Sequence, residues 1–119
     1  MTNKEIAEKL AFYCRHGKWE DAQKALYSQD AVSIELQASP VFDRETKGLD
    51  AIIAKGHKFN AMVEKLHSIS VSEPLIAGDA IAFVIKMDAE MKGRGRTTME
   101  EIAVYQVKEG KIVSEQFHL

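Results

Sequence analysis

The sequence predicts an α+β domain in which three N-terminal helices pack on one curved, mostly antiparallel β-sheet. Apolar residues recur at spacings of three and four through the first half of the chain, and from His67 onward the period shortens to two. No repeat, linker or low-complexity stretch separates the two halves. At 119 residues the chain reads as a single domain over 1–119, large enough to bury about two thirds of its unfolded surface without a disulfide or structural metal.

Thr2 and Glu5 stand at capping-box spacing, and Ile6, Leu10 and Tyr13 or Cys14 then continue an apolar stripe up to Gly17. This predicts a first helix over roughly 3–16. After Gly17, Trp19, Ala22, Ala25 and Leu26 line one side of a shorter second helix whose other side carries Glu20, Asp21, Gln23 and Lys24. A β-like run over 31–36 follows, then a loop holding Pro40 and Gly48. Leu49, Ile52, Ile53, Gly56, Phe59, Met62, Val63 and Leu66 predict a third helix over roughly 49–65.

The second half divides into β-rich runs over 68–74, 80–90, 97–107 and 112–118. Ala77-Gly78-Asp79, Gly93-Arg94-Gly95 and Glu109-Gly110-Lys111 separate them, links too short for parallel crossovers, so these strands form an antiparallel meander. Ile81, Phe83, Ile85 and Met87 alternate with Ala82, Val84, Lys86 and Asp88, which makes the middle of the sheet apolar on both faces. One face takes the helices. The other is expected to take a second copy, giving a homodimer through the outer sheet face.

Sixteen basic and eighteen acidic residues leave a net charge of −2, which provides no field for nucleic acid or an anionic membrane. The single Cys14 forms no internal disulfide, and none of the four histidines pair at a metal-binding spacing, so no metal is expected. The N-terminal residues lack the apolar run of a signal peptide, and no stretch approaches the roughly 20 apolar residues that span a bilayer. A cytoplasmic protein is expected.

Glu35 draws attention first. In a strand successive side chains point to opposite faces, so Val32, Ile34 and Leu36 share one face and Ala31, Ser33 and Glu35 the other. If the second face is covered, its small residues leave room for a ligand beside the carboxylate. If it meets water, Glu35 is a solvated charge, and the strand alone leaves both readings open.

Four segments widen the view: Gly-Lys-Trp-Glu-Asp-Ala at 17–22, Leu-Tyr-Ser-Gln-Asp-Ala-Val-Ser-Ile-Glu at 26–35, Lys-Gly-Leu-Asp-Ala-Ile at 47–52 and Glu-Gly-Lys-Ile-Val-Ser-Glu at 109–115. Their order and spacing resemble the nuclear transport factor two-like superfamily, and within it the SnoaL-like branch related to polyketide cyclases and ketosteroid isomerases. The resemblance implies a cone-shaped fold whose sheet wraps round the helices and encloses an apolar pocket for a small ligand. In the isomerases the strand after the second helix carries the acid that takes a proton next to a carbonyl, and the match over 26–35 puts Glu35 there. An apolar pocket raises a carboxyl's pKa toward working pH, where a base is most effective. Aligned through Gly17, the oxyanion-binding tyrosine of those enzymes falls on Leu10; aligned through Gly110, their protonated aspartate falls on Ile102. Neither side chain donates a hydrogen bond, although oxyanion stabilisation supplies much of the rate in such reactions.

The resemblance therefore implies one of two uses for the pocket. One is a cofactor-free isomerase, cyclase or dehydratase acting by proton transfer on a small apolar, carbonyl-containing or polycyclic molecule; the other is a non-catalytic ligand-binding or dimeric interaction module. Glu100 and Glu101 are candidate partners of Glu35; parity with the isomerase position favours Glu100, with Glu101 the alternative and a surface pair the competing reading. Tyr13, Trp19, Phe59, Met62, Phe83 and Tyr105 are candidate ligand contacts, with plain core the competing reading and, for most of them, the favoured one. Tyr13, three residues after Leu10, would replace the missing phenol. His67 opens a strand, where it would orient a ligand or simply stand half exposed. His118 reads as a frayed end, His16 and His57 as helix-end or surface residues, and Lys-Gly-Arg-Gly-Arg at 92–96 as a solvated hairpin tip.

Overall fold

The structure is a computed structural model that describes residues 1–118. Helix α1 (Asn3–Arg15) starts on the anticipated capping box: the Glu5 N–H donates to Thr2 Oγ1 at 3.1 Å, and the Thr2 N–H donates to Glu5 Oε1 at 3.0 Å. It ends before Gly17, whose φ of +68° lies in the left-handed region; a Cβ there would stand 3.4 Å from Ile69 Cδ1. Helix α2 (Trp19–Leu26) runs straight into strand β1 (Tyr27–Ile34). That strand begins four residues before the predicted 31–36 and ends one short of Glu35, because Tyr27 already has extended angles at the helix cap.

Two short strands were not anticipated, β2 (Glu45–Lys47) and β4 (Leu75–Ala77). Three residues are too few to show a period of two. Helix α3 (Leu49–Met62) stops earlier than the expected 65, where β-branched Val63 turns extended and opens β3 (Val63–Val71). Pro74 falls outside it. The remaining strands, β5 (Ala80–Met91), β6 (Gly95–Lys108) and β7 (Lys111–His118), follow the predicted runs closely.

The sheet order is β2-β1-β7-β6-β5-β3, with β4 also paired to β5, and every pairing is antiparallel except β1 with β7. The expected meander is present as β3, β5, β6 and β7. Ile6, Leu10, Leu26, Ile52, Ile81 and Ile112 are almost wholly buried between helices and sheet, each contributing about 1.5–3 kcal/mol of burial. Inward Ile81, Phe83, Ile85, Met87, Ala89 and Met91 alternate along β5 with outward residues. On the outer face the directly paired Val84 and Ile102 are exposed and adjoin the pair Ala82 and Val104, exposed Leu75 pairs with Ala82, and charged pairs lie along the sheet toward Glu90 and Arg96. Among the described residues no helix is long and apolar enough to cross a membrane.

Candidate functional site

Between the helices and the inner sheet face lies a cavity of about 400 Å³. Leu10, Trp19, Ile52, Phe59, Met87 and Phe117 supply apolar walls, and Glu35, Lys55, Glu101, Tyr105 and Glu115 form its polar side. The face of Ala31, Ser33 and Glu35 is therefore the covered one, with Ala31 and Ser33 fully buried and Leu36 turned to solvent.

A continuous polar chain crosses the sheet beneath the cavity. Glu115, 5% exposed, accepts from the Tyr27 hydroxyl on one oxygen and from the Ser33 hydroxyl at 2.6 Å on the other. Lys55 Nζ donates to Ser33 Oγ at 2.9 Å and lies 2.5 Å from Glu35 Oε1. Ser33 and Glu115 meet because they are register partners across the parallel β1–β7 pair. A bulge in β7 makes this possible: Gln106 pairs with Ser114 but Val107 with Ile112, leaving Val113 as an extra residue. Both Ile112 and Glu115 then point inward, although simple alternation would send one of them out.

Burial sets the electrostatics. It raises the Glu115 carboxyl, against the opposing hydrogen bonds from Ser33 and Tyr27. Glu101 is pushed up to about 7 by burial first, then by the nearby charges of Glu35 and Glu115, with Lys55 opposing. Its proton therefore exchanges near neutral pH, the useful range for an acid-base group. The Cys14 thiol beside the cavity is pushed up to about 12, mainly by burial, so it does not supply a thiolate nucleophile.

One side of the cavity is formed by the segment after Glu35. The Glu35 N–H donates to the Arg44 carbonyl at 2.7 Å, the Ser39 N–H donates to the Phe42 carbonyl, and Ser39 Oγ accepts from the N–H groups of Val41 and Phe42. These bonds hold Phe42 against the cavity, where Lys55 Nζ lies 6.0 Å from its ring centroid and 5.8 Å from that of Phe117.

Of the residues singled out from sequence, Glu35, Glu101, Trp19, Phe59 and Tyr105 come together here. Glu100 does not: it is exposed on the outer face, 4.0 Å from Lys86. Parity counted from Gly110 pointed the wrong way because β6 is apolar on both faces near Ile102, so hydrophobic alternation does not identify the inner one. Met99, Glu101, Ala103, Tyr105 and Val107 face inward and Ile102 outward. The missing donor inferred at Ile102 is thus a matter of register, and the inward acid beside it is Glu101.

Tyr13 also lies elsewhere, over a shallow depression with Glu8, Lys9 and Phe12. On a helix it is rotated about 60° to one side of Leu10 and Cys14 about 40° to the other, and the cavity lies on the Cys14 side. Met62 packs against the cluster of Met87, Ala89 and Met91, and Phe83 against Tyr105 at 5.3 Å between ring centroids, both outside the cavity lining. His67 turns outward to Glu90, with Nε2 2.8 Å from its carboxylate. His118 is paired with Ile102 in the ladder rather than frayed. The hairpin tip is solvated as expected, yet Arg94 reaches the cavity and Arg96 binds Asp88. Among the described residues no cluster of His, Cys, Asp and Glu side chains has the make-up of a metal site.

Sequence reasoning missed Lys55 and the role of Glu115. Lys55 follows Ile52 by three and precedes Phe59 by four, which places it on the apolar stripe of α3, and a lysine inside such a stripe was the available signal. Glu115 carried no equivalent signal, since only the bulge turns it inward.

The SnoaL-like domain family matches the chain over residues 1–119. No curated protein matches it. Among solved structures, one described as a candidate SnoaL-like polyketide cyclase from Mesorhizobium loti is 32% identical, with a TM-score of 0.92 over 100% of both chains. A nuclear transport factor two-like protein of unknown function from Burkholderia pseudomallei is 16% identical, with a TM-score of 0.82 over 100% of this chain and 92% of its own. A protein with a ketosteroid isomerase-like fold from Catenulispora acidiphila, in complex with trimethylamine, is 18% identical, with a TM-score of 0.74 over 99% of this chain and 87% of its own. The last two share the fold. With the family matched from end to end, this chain belongs to the SnoaL-like domain family.

Proposed function

We propose that this protein holds a small, mostly apolar carbonyl-containing or polycyclic molecule in its cavity and acts on it by cofactor-free proton transfer, as an isomerase, cyclase or dehydratase. Glu35 and Glu101 are the acid-base pair, in a cone-shaped pocket closed round the ligand by the sheet and helices. One observation carries this reading: two carboxyls line a single apolar cavity, one paired with Lys55 and the other protonated up to about neutral pH. Glu35 takes the proton from the carbon next to the carbonyl, the C–H electron pair becomes the new C=C bond, and the carbonyl π pair moves onto the oxygen. The Glu101 O–H donates a hydrogen bond to that oxygen, and the proton returns from Glu35 to a different carbon. The trimethylamine held by the Catenulispora neighbour supports small-molecule binding within this fold.

A thermal-shift screen of steroids, polyketide fragments and terpenoids tests the pocket. A ligand at about 100 times its dissociation constant adds about 2.7 kcal/mol of stability. For each hit, deuterium exchange next to the carbonyl is expected by NMR and is expected to vanish in Glu35→Gln. Silence across all three classes would remove the reading. The second reading, a non-catalytic binding module, is favoured by the engagement of Glu35 with Lys55 at 2.5 Å; tight binding without exchange would establish it.

We also propose a homodimer through the outer sheet face, where exposed Val84 and Ile102 form an apolar patch with Ala82 and Val104. Light scattering that finds a monomer at micromolar concentration would exclude it.

A further inference from the structure

Lys55 is the least expected member of the site. It lies on the cavity stripe of α3 with 14% of its side chain exposed, a depth lysine reaches only when paired. An ammonium has three N–H donors. Glu35 draws on the charge at 2.5 Å and Ser33 accepts at 2.9 Å, which leaves donor capacity on the side that lines the cavity. The rings of Phe42 and Phe117 flank that side. They lower the local polarity, so a charge meeting the ammonium there interacts more strongly than it would in water.

We infer that Lys55 is a ligand-contacting residue whose ammonium receives an oxygen that is or becomes anionic, on an enol, phenol or β-dicarbonyl group carried by an aromatic or polycyclic body. The inference rests on the proposed ligand cavity and adds the chemistry of its polar end. The charge balance explains why an ion pair belongs there. Before reaction Glu35 is the anion facing Lys55. When the ligand's proton moves to Glu35, its bonding electron pair stays on the ligand and comes to rest on the oxygen; Glu35 becomes neutral and Lys55 now faces the oxyanion. The net charge of the site is the same before and after, so the developing anion needs no water to stabilise it. The other inward acids, Glu101 and Glu115, are both shifted toward their neutral forms by burial, which keeps them from repelling that oxygen. Arg94 adds positive charge to the lining.

The test uses 2-naphthol and ring-halogenated 2-naphthols as probes, with naphthalene as the oxygen-free control, followed by absorbance and fluorescence titration. The wild type is expected to bind the naphthols with the spectrum of the naphtholate at a pH below their solution pKa, more tightly as the probe becomes more acidic. Lys55→Met is expected to lose the naphtholate spectrum and weaken naphthol binding by about tenfold or more, while Lys55→Arg keeps part of both and naphthalene binds all variants alike. The double variant Lys55→Met with Glu35→Gln, which leaves no unpaired carboxylate, is expected to show the same loss. An unchanged naphtholate spectrum in Lys55→Met, or a neutral naphthol spectrum in the wild type, overturns the inference while naphthalene binding upholds the cavity. Failure of every probe to bind the wild type overturns both.

Discussion

Two groups of acidic and basic side chains flank opposite faces of the same sheet. On the outer face Arg96 grips Asp88 with bonds of 2.9 and 3.1 Å, His67 meets Glu90, and Lys86 approaches Glu100. On the inner face Lys55, Glu35, Glu101 and Glu115 converge on Ser33 and the cavity. Outside, the Arg96 guanidinium lowers the Asp88 carboxyl; inside, burial raises Glu101 and Glu115. The chemical potential of an acid on this sheet follows from which face it occupies. A partner in water favours the charged form, and loss of water favours the neutral one.

The largest expected effect breaks the inner group. Glu115→Ala leaves the Tyr27 and Ser33 O–H groups without their acceptor in the core, and each unpaired buried donor costs about 1–3 kcal/mol, so the loss is about 2–6 kcal/mol in urea unfolding. Glu100→Ala on the outer face is expected to lie close to wild type. Equal losses for the two would erase the contrast.

Next in size is a pH effect of opposite sign on the two faces. Glu101 has its folded pKa raised from 4.5 to about 7, so the stability it contributes is fully present below pH 4.5 and is lost as pH rises to about 7. The shift corresponds to about 3 kcal/mol, and Glu115 acts in the same direction. Asp88 is lowered, so its contribution is present above its unfolded pKa and is lost as pH falls through its folded one. Urea melts of Glu101→Gln between pH 4.5 and 8 are expected to show a shallower decline than the wild type, the remainder belonging to Glu115; an unaltered slope would show that Glu101 is solvated.

The smallest effect is outside. Arg96→Ala removes an exposed pair, and its shift in melting temperature is expected to be slight and to disappear in 1 M salt. A salt-resistant loss would mean that the outer face is covered, as the proposed dimer would have it, and analytical ultracentrifugation of the same variant would show whether association changed with it.

Much of the fold was legible because its signals are local. The capping box at Thr2 and Glu5, the helical stripes and the glycines of the turns depend on neighbours within a few residues. The alternation of the strand put Glu35 on one face with Ala31 and Ser33 but left open whether that face was covered, and it was the resemblance over 26–35 that named Glu35 as the candidate base. The rest of the site was not legible. Glu101 and Glu100 differ by one residue in a strand apolar on both sides, Glu115 is turned inward by a single extra residue in β7, and Tyr13 misses the cavity by its rotation on α1. Register and rotation are settled by packing between distant segments, which no window of sequence contains.

The sequence by itself determined the three helices, the antiparallel meander and the face that Glu35 shares with Ala31 and Ser33, because hydrophobic periodicity and turn chemistry act over short range. Only the tertiary structure decided that Glu35 would meet Lys55, that Glu101 rather than Glu100 would face the cavity, and that Glu115 would lie buried on its polar side. The last of these rests on the parallel β1–β7 pairing and the bulge at Val113, which bring together residues as far apart as Ser33 and Glu115 and remove them from water. Distance from solvent is a property of the assembled fold, and here it separates an acid held as a surface charge from one able to exchange a proton near neutral pH.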